Sequence, residues 1–166
     1  MKTRLLALAC ACICWAAPFA ANAANDDGTV PLVITPEKDK SIWVNVGGFS
    51  SHFNRDKGYN ENNMGFGIEY RLNPEVAVIA GGYYNSVRQN TSYLGVTYQP
   101  WTMGEWKLGA AMGLMDGYPA LERGGVFFAA LPMASYEGKM FGVNLGIIPS
   151  IPKVDGAIVI QLKFRL

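Results

Sequence analysis

The sequence predicts an all-β fold, an eight-stranded antiparallel up-and-down transmembrane barrel over residues 41–166. From Ser41 onward, runs of about ten residues alternate apolar residues with small or polar ones, which is the period of a β-strand. The apolar face carries large side chains, whereas the other face mixes glycine with amide and charged residues. This contrast is typical of a barrel with lipid outside and a narrow polar lumen inside. The connections also alternate between short and long, as an up-and-down barrel requires.

The first 23 residues have the layout of a cleaved secretory signal: a basic start, a short apolar stretch and a small-residue pattern that ends at Ala23. The apolar stretch is shorter than the ~20 residues of a membrane-spanning helix, so a retained anchor is the weaker alternative. A lipoprotein cysteine at Cys10 or Cys12 is another, but few apolar residues precede it. Residues 24–40 are predicted to be a periplasmic lead-in segment. This organisation predicts a bacterial outer-membrane location.

Composition excludes several classes of function for the segment after the signal. All three cysteines lie within the signal, so no thiol remains for a disulfide, a soft metal or catalysis. Of the 14 basic residues two lie in the signal, which leaves 12 against 13 acidic ones. A near-neutral balance without a basic cluster gives no footprint for nucleic acid. There is no metal-ligand cluster and no phosphate-binding glycine loop, so we predict no cofactor and no metal.

Eight alternating runs define the predicted strands. In the last of them the even-numbered residues from Ile158 to Leu166 are apolar and share one face. Pro132 lies inside the sixth run and predicts a bulge or a local kink. The predicted strands are residues 41–53, 63–72, 76–87, 91–100, 105–116, 125–136, 139–149 and 156–166.

The strand ends and loops give the predicted orientation. Long loops over 54–62 and 117–124 should face outward, and tight turns should face the periplasm. The chain ends on Phe164 and Leu166, which resemble the terminal signal of outer-membrane barrels, so the barrel-assembly machinery is an expected partner beside outer-membrane lipid and lipopolysaccharide. A lipocalin-like periplasmic barrel, with its apolar face turned inward, is the soluble alternative. An interfacial aromatic girdle is predicted from Trp43, Tyr70, Tyr98, Trp101, Trp106, Tyr136, Phe141 and Phe164.

The candidate chemistry centres on His52, the one histidine, at the outer end of the first strand. Ser50 and Ser51 precede it, and Glu69 follows on the next strand. A hydroxyl, an imidazole and a carboxylate are the parts needed for acyl transfer. Ser50 should share the face of His52, while Ser51 should face the opposite way. Alternation also places Glu69 in the lumen, where pairing with a basic residue would make it structural. Candidate rim-binding residues are Asn60, Glu61, Asn85 and Asp116.

The stretch from His52 through Asn60 or Asn63 and Gly65 to Glu69 resembles the active-site hairpin of the lipid A deacylase family of outer-membrane barrels. The resemblance implies an acyl hydrolase in which His52 and Glu69 take part. The family's serine lies two residues after the histidine, where this chain has Asn54, so Ser50 or Ser51 would have to replace it. The wider segment 50–70 also looks like small proteobacterial outer-membrane proteins labelled glycerol-3-phosphate transporter. An eight-stranded barrel, however, has an interior that its own side chains fill.

Two classes of function follow from the sequence. The first, which we favour, is a non-enzymatic outer-membrane barrel with a structural or ligand- or lipid-binding role at its extracellular rim. The second is a lipid A-modifying acyl hydrolase or acyltransferase that uses His52 and a neighbouring serine. A small-solute transporter is a further alternative.

Overall fold

The computed structural model describes residues 40–166, which form one closed antiparallel barrel of eight strands in sequence order. Each strand pairs with its sequence neighbours, and β8 closes the barrel against β1. The predicted fold class is therefore confirmed. The predicted signal and all but the last residue of the lead-in lie outside the described residues. The strands are β1 (Ser41–His52), β2 (Gly65–Arg71), β3 (Val76–Tyr84), β4 (Asn90–Met103), β5 (Trp106–Met115), β6 (Phe127–Glu137), β7 (Phe141–Ile148) and β8 (Ala157–Arg165).

The two faces of the wall differ as the alternation predicts. In β8 the even-numbered residues from Ile158 to Phe164 are exposed on the outside, while Lys163 is fully buried inside. Among the described residues the buried hydrophobic ones are Trp43, Ala77, Ala111 and Ala157, and the other buried side chains are polar or charged. The apolar face thus points outward, opposite to the lipocalin-like alternative.

The connections alternate in length around the barrel. At one end, β2–β3, β4–β5 and β6–β7 are joined by tight turns; Asn73 shapes the first of these by accepting the backbone N–H of Val76 at 2.8 Å. At the other end the connections include two long loops, over residues 53–64 and 116–126, and the second contains a single 3-10 turn, Glu122–Gly124. Within residues 40–166, no helix is long and apolar enough to cross a membrane.

Trp43 departs from the predicted aromatic girdle. Its side chain is fully buried in the lumen, where its indole N–H donates to Ser41 Oγ at 3.1 Å. The Lys163 ammonium lies 4.9 Å and the Arg165 guanidinium 5.2 Å from the centre of its ring. Cation–π contacts in the lumen therefore hold Trp43, which was predicted to lie at the membrane interface because of its residue type.

Pro132 does not produce a bulge. Its strand, β6, pairs with β5 without interruption from Phe127 to Tyr136. On the side of β6 that faces β7, the pairing stops next to Pro132. The ladder between these two strands covers only Met133–Glu137 and Gly142–Gly146. The bulges lie elsewhere, between Val46 and Phe49 in β1 and between Tyr98 and Trp101 in β4.

Candidate functional site

The bulge in β1 decides which way the candidate catalytic side chains point. Val46 pairs with Leu162 and Phe49 pairs with Ile160, so β1 contains one extra residue there, and Gly47 accommodates it with a φ of +65°. A single extra residue reverses the inward and outward phase of the strand that follows. Ser50 and His52, 8% and 6% exposed, consequently face inward near the outer end of the barrel.

Ser50 and His52 share one face, and each carries a buried polar atom without a partner. Within the described part of the chain, neither Ser50 Oγ nor His52 Nδ1 has a hydrogen-bond partner. Ser51 faces the other way, and its hydroxyl accepts a hydrogen bond from the Arg55 guanidinium at 2.8 Å. The structure thus brings Ser50 to the histidine side and gives Ser51 a loop contact.

The surroundings of His52 come from the first loop. The Tyr59 ring packs on the imidazole with 4.3 Å between ring centres. Glu61 accepts the backbone N–H of His52 at 3.1 Å and also pairs with Arg55 at 2.7 Å, and its hydrogen bond to that backbone N–H is the main reason that its pKa is lowered. The Glu61 carboxylate therefore holds the backbone of His52, while Nδ1 stays unpartnered.

Glu69 lies far from His52. It pairs across the sheet with Trp43, nine residues before His52 on β1, which corresponds to roughly 25–30 Å along the strand. The structure does not bring Glu69 to the imidazole. Glu69 therefore matches the deacylase hairpin in its sequence position but not in its distance from His52.

A salt bridge that the sequence analysis missed links two outer loops beside His52. Asp155, in the connection between β7 and β8, accepts hydrogen bonds from Lys57 at 2.8 Å and from the Tyr59 hydroxyl. The Lys57 ammonium, followed by the Tyr59 hydroxyl, lowers the pKa of Asp155. These partners are almost one hundred residues apart in sequence, so only the closure of the barrel brings them together.

The predicted rim-binding residues organise the loops. Asn85 is fully buried; its amide donates to the Gly117 carbonyl at 2.7 Å, and its carbonyl accepts two backbone N–H groups. The Asn60 side-chain amide donates to the backbone carbonyl of Asn85 at 3.1 Å, and the Asp116 carboxylate accepts the N–H of Ser92 at 2.7 Å. Glu61 pairs with Arg55, so all four of the predicted rim-binding side chains make bonds within the rim.

The other polar cluster fills the lumen near the tight turns. Glu69 and Glu137 share Arg71 and Lys163: Lys163 Nζ lies 2.9 Å from Glu69 and 2.8 Å from Glu137, and the Arg71 guanidinium contacts both carboxylates. Two acids and two bases make a neutral cluster. Gln99 extends it by donating to Ser135 at 2.8 Å. We call Glu69, Arg71, Glu137 and Lys163 the lumen cluster.

Below the lumen cluster, the barrel opens into a cavity of about 320 Å³ at the tight-turn end, lined in part by Arg71, Lys107 and Arg165. Over residues 40–166, no group of three or more His, Cys, Asp or Glu side chains could hold a metal ion.

No family model matches the chain, and no curated protein matches it in sequence. The fold does match solved structures. A structure from the de novo design of transmembrane β-barrels superposes with a TM-score of 0.56 at 11% identity, over 77% of this chain and 96% of that one. The de novo designed TMB2.3, solved by solution NMR, gives 0.57 at 14% identity, over 78% and 98%. The N-terminal barrel domain of Pseudomonas aeruginosa OprF gives 0.47 at 17% identity, over 77% and 98%.

Proposed function

We propose that this chain is an outer-membrane barrel with a sealed lumen and a structural or lipid-binding role in the outer leaflet and at the extracellular rim. One observation carries the proposal: the molecule is apolar on the outside and polar on the inside. Large outward side chains such as Leu94, Phe66 and Phe128 are 58–65% exposed, whereas the lumen holds two buried ion-paired acids and two bases. Monomeric soluble proteins rarely expose an apolar surface of this extent, and a bilayer would cover it.

The lumen cluster argues against a solute pathway. Glu69 and Lys163 are fully buried and Arg71 is nearly so, and each of them is paired with an opposite charge inside the lumen. A solute would have to break several charge-assisted hydrogen bonds at once. This supports a closed barrel over the glycerol-3-phosphate transporter alternative.

Conductance measurements test the sealed lumen. Purified protein reconstituted in planar bilayers should give no stable unitary current steps, and vesicles that contain it should take up glycerol-3-phosphate no faster than empty ones. Its insertion should be verified beforehand by heat-modifiable migration on gels. Reproducible steps from inserted protein would contradict the proposal.

The C-terminal strand supports the expected contact with the barrel-assembly machinery. Phe164 and Leu166 are exposed on the outer face at the end of the chain, where an assembly factor could bind them. Replacing both by serine should reduce insertion in cells more than refolding of the purified protein.

A second candidate function is acyl hydrolysis at the outer rim, favoured by the shared face and unpartnered atoms of Ser50 and His52. In this case the serine hydroxyl would attack the ester carbonyl while the imidazole accepts its proton. The lipid alcohol would leave with that proton, and water would then hydrolyse the acyl-serine. Mass spectrometry of lipid A from cells that express the wild type, Ser50→Ala, His52→Ala and the control Ser51→Ala decides it. Loss of an acyl chain that needs Ser50 and His52, but not Ser51, would support the hydrolase. Identical lipid A in every strain, with the barrel inserted, would exclude it.

A further inference from the structure

The polar interior of the barrel is interrupted by an apolar patch on the inner side of β3–β6. On these strands, between the lumen cluster and the buried polar residues at the long loops, the inward positions are aliphatic, aromatic, methionine or glycine. They border a cavity of about 150 Å³ whose inward lining includes Ile79, Tyr83, Tyr93, Ala111, Ala129 and Leu131. We call this space the apolar chamber.

Tyr93 borders both the apolar chamber and the polar part of the lumen. Its ring extends along the wall over two glycines, so that a Cβ at Gly67 would lie 2.2 Å and one at Gly81 2.7 Å from its hydroxyl oxygen. The hydroxyl lies near the side-chain amides of Gln161 and Asn45, on the polar side. One face of the ring can therefore border an apolar occupant while its polar edge stays with the amides below.

Beside the apolar chamber, β6 and β7 are not paired, and we call this unpaired stretch between the two strands the seam. The ladder between β6 and β7 stops at Met133 and Gly146, although β6 continues to Phe127 and β7 to Ile148. Pro132 lies at the point where pairing ends, and Pro149 follows β7 directly. Neither proline has a backbone N–H to donate, so the sequence itself disfavours closing this seam.

The seam and the apolar chamber share residues. Ala129 and Leu131 line the chamber and also belong to the segment of β6 that pairs with β5 alone. At the lower end, the Leu131 side chain lies over Gly146, since a Cβ there would come within 2.4 Å of Leu131 Cδ1. Above this point the ladder with β7 has ended, and the inward residues of β6 belong to the apolar lining.

Access from above is restricted by aromatic side chains. The hydroxyls of Tyr83 and Tyr118 are 2.9 Å apart, and the Tyr118 ring packs edge-on against Phe127 at 5.9 Å. Tyr118 belongs to the loop after β5, so this contact places a lid over the chamber. Entry from the side would need only the two strands to part where they are not paired.

The seam lies at the depth of the outer leaflet. Phe128 is eight residues beyond Tyr136, which gives a height of roughly 20 Å for a strand tilted by about 40°, within an apolar band of about 25 Å. Unpaired strand edges are not tolerated against hydrocarbon unless they line a cavity or are covered. An opening at this depth therefore meets the acyl chains of the outer leaflet.

We propose that the apolar chamber accommodates one hydrocarbon chain of a membrane lipid, which enters sideways between β6 and β7. The inference deepens the proposed lipid-binding role and rests on the membrane location proposed above. The lining offers methyl, methylene and ring surfaces and few polar groups, which suits a chain without hydrogen-bonding groups. The headgroup would stay outside the seam, near the rim.

Photolabelling of the wild type tests the inference. The protein is reconstituted in lipid nanodiscs containing a phospholipid with a diazirine near the end of one acyl chain, then irradiated and digested for mass spectrometry. Adducts are expected on inward residues such as Ala129, Leu131 and Ile79, in addition to outward residues such as Phe128. A parallel sample with a diazirine fatty acid distinguishes an esterified chain from a free one.

A matched pair of variants locates the labelled space. Ala129→Trp fills the chamber and should reduce the inward adducts at least tenfold, whereas Ala130→Trp, one residue along on the outer face, should leave them unchanged. Heat-modifiable migration reports whether each variant is folded, and the wild-type labelling stands without either variant.

Three outcomes would overturn the inference. Adducts confined to outward residues would show an empty chamber, and inward labelling that Ala129→Trp leaves unchanged would show a different route. A cross-link between β6 edges of two copies would show that strand pairing covers the seam. If neither inward nor outward residues were labelled, the result would contradict the proposed membrane location itself.

Discussion

At the scale of single residues, the lumen cluster explains how charge is tolerated inside the barrel. Each of its carboxylates contacts both of its bases, so no charge is buried alone. The exchange of ion pairs for apolar residues is often neutral, whereas removal of one partner leaves an uncompensated charge. The stability of the lumen therefore depends on the balance of charge more than on any one contact.

Lys163→Met should destabilise the barrel by about 3–5 kcal/mol, because Glu69 and Glu137 would then share Arg71 alone. The measurement is the midpoint of denaturant unfolding in lipid vesicles. The control Lys139→Met removes the same charge at an exposed turn position and should have little effect. The double variant Glu69→Gln with Lys163→Met should recover part of the loss; a double variant as unstable as the sum of the single ones would contradict the shared-charge account.

Individual residues also show where alternation suffices for prediction and where it fails. The lumenal positions of Glu69, Arg71 and Lys163 follow from period two alone, and the structure shows that they pair. Trp43 obeys the same period, but tryptophan is common at membrane interfaces and was therefore predicted to lie there. The cation–π contacts that hold Trp43 inside involve a strand more than one hundred residues away. Long-range pairing of this kind leaves no local signal.

At the scale of elements, the strand count, the strand order and the alternation of short and long connections were predictable, because each has a local signature. The register of the strand pairing was not predictable. The extra residue at Gly47 turns Ser50 and His52 inward, yet the surrounding sequence contains several glycines that could have held a bulge. Likewise Pro132 was recognised as an irregularity, but only the partner strand reveals that it ends a ladder.

The loop–loop bridge at Asp155 is testable by proteolysis. Asp155→Asn should make trypsin cleave after Lys57 about two- to five-fold faster, the size of effect expected for an exposed ion pair, because the first loop loses its attachment to the β7–β8 connection. Asp56→Asn removes a neighbouring exposed charge and should change the rate little. Equal acceleration in both variants would show that local charge, rather than the bridge, governs cleavage.

The same bridge should respond to acid. Lys57, followed by Tyr59, lowers the pKa of Asp155, so the bridge stabilises the folded loops above the ordinary aspartate pKa of about 3.9 and is lost as pH falls through the lowered value. NMR titration of the Asp155 side-chain carboxyl should show no transition between pH 7 and 5 and one transition below 4. A transition centred above 4 would contradict this assignment.

At the scale of the whole molecule, the decisive property is which solvent surrounds the wall. A soluble barrel would need its large apolar side chains inside, yet those of this barrel are outside and its buried set is mostly polar. The hydrophobic driving force that closes most small domains is therefore weak within this one. The bilayer would supply it by covering the outer face.

Two arginine substitutions on β4 separate a bilayer from water as the surrounding solvent. Leu94 and Met103 both face outward and are 60% and 67% exposed, but Leu94 lies within the apolar band, four residues beyond Tyr98 of the predicted girdle, and Met103 lies at the tight-turn end of the strand. In a bilayer, Leu94→Arg should cost about 2–4 kcal/mol and Met103→Arg about 0–1 kcal/mol. In water, two substitutions at equally exposed sites should both stay within about 0.5 kcal/mol. Equilibrium unfolding from lipid vesicles measures the difference, and equal small effects at both positions would mean that no hydrocarbon layer surrounds the barrel.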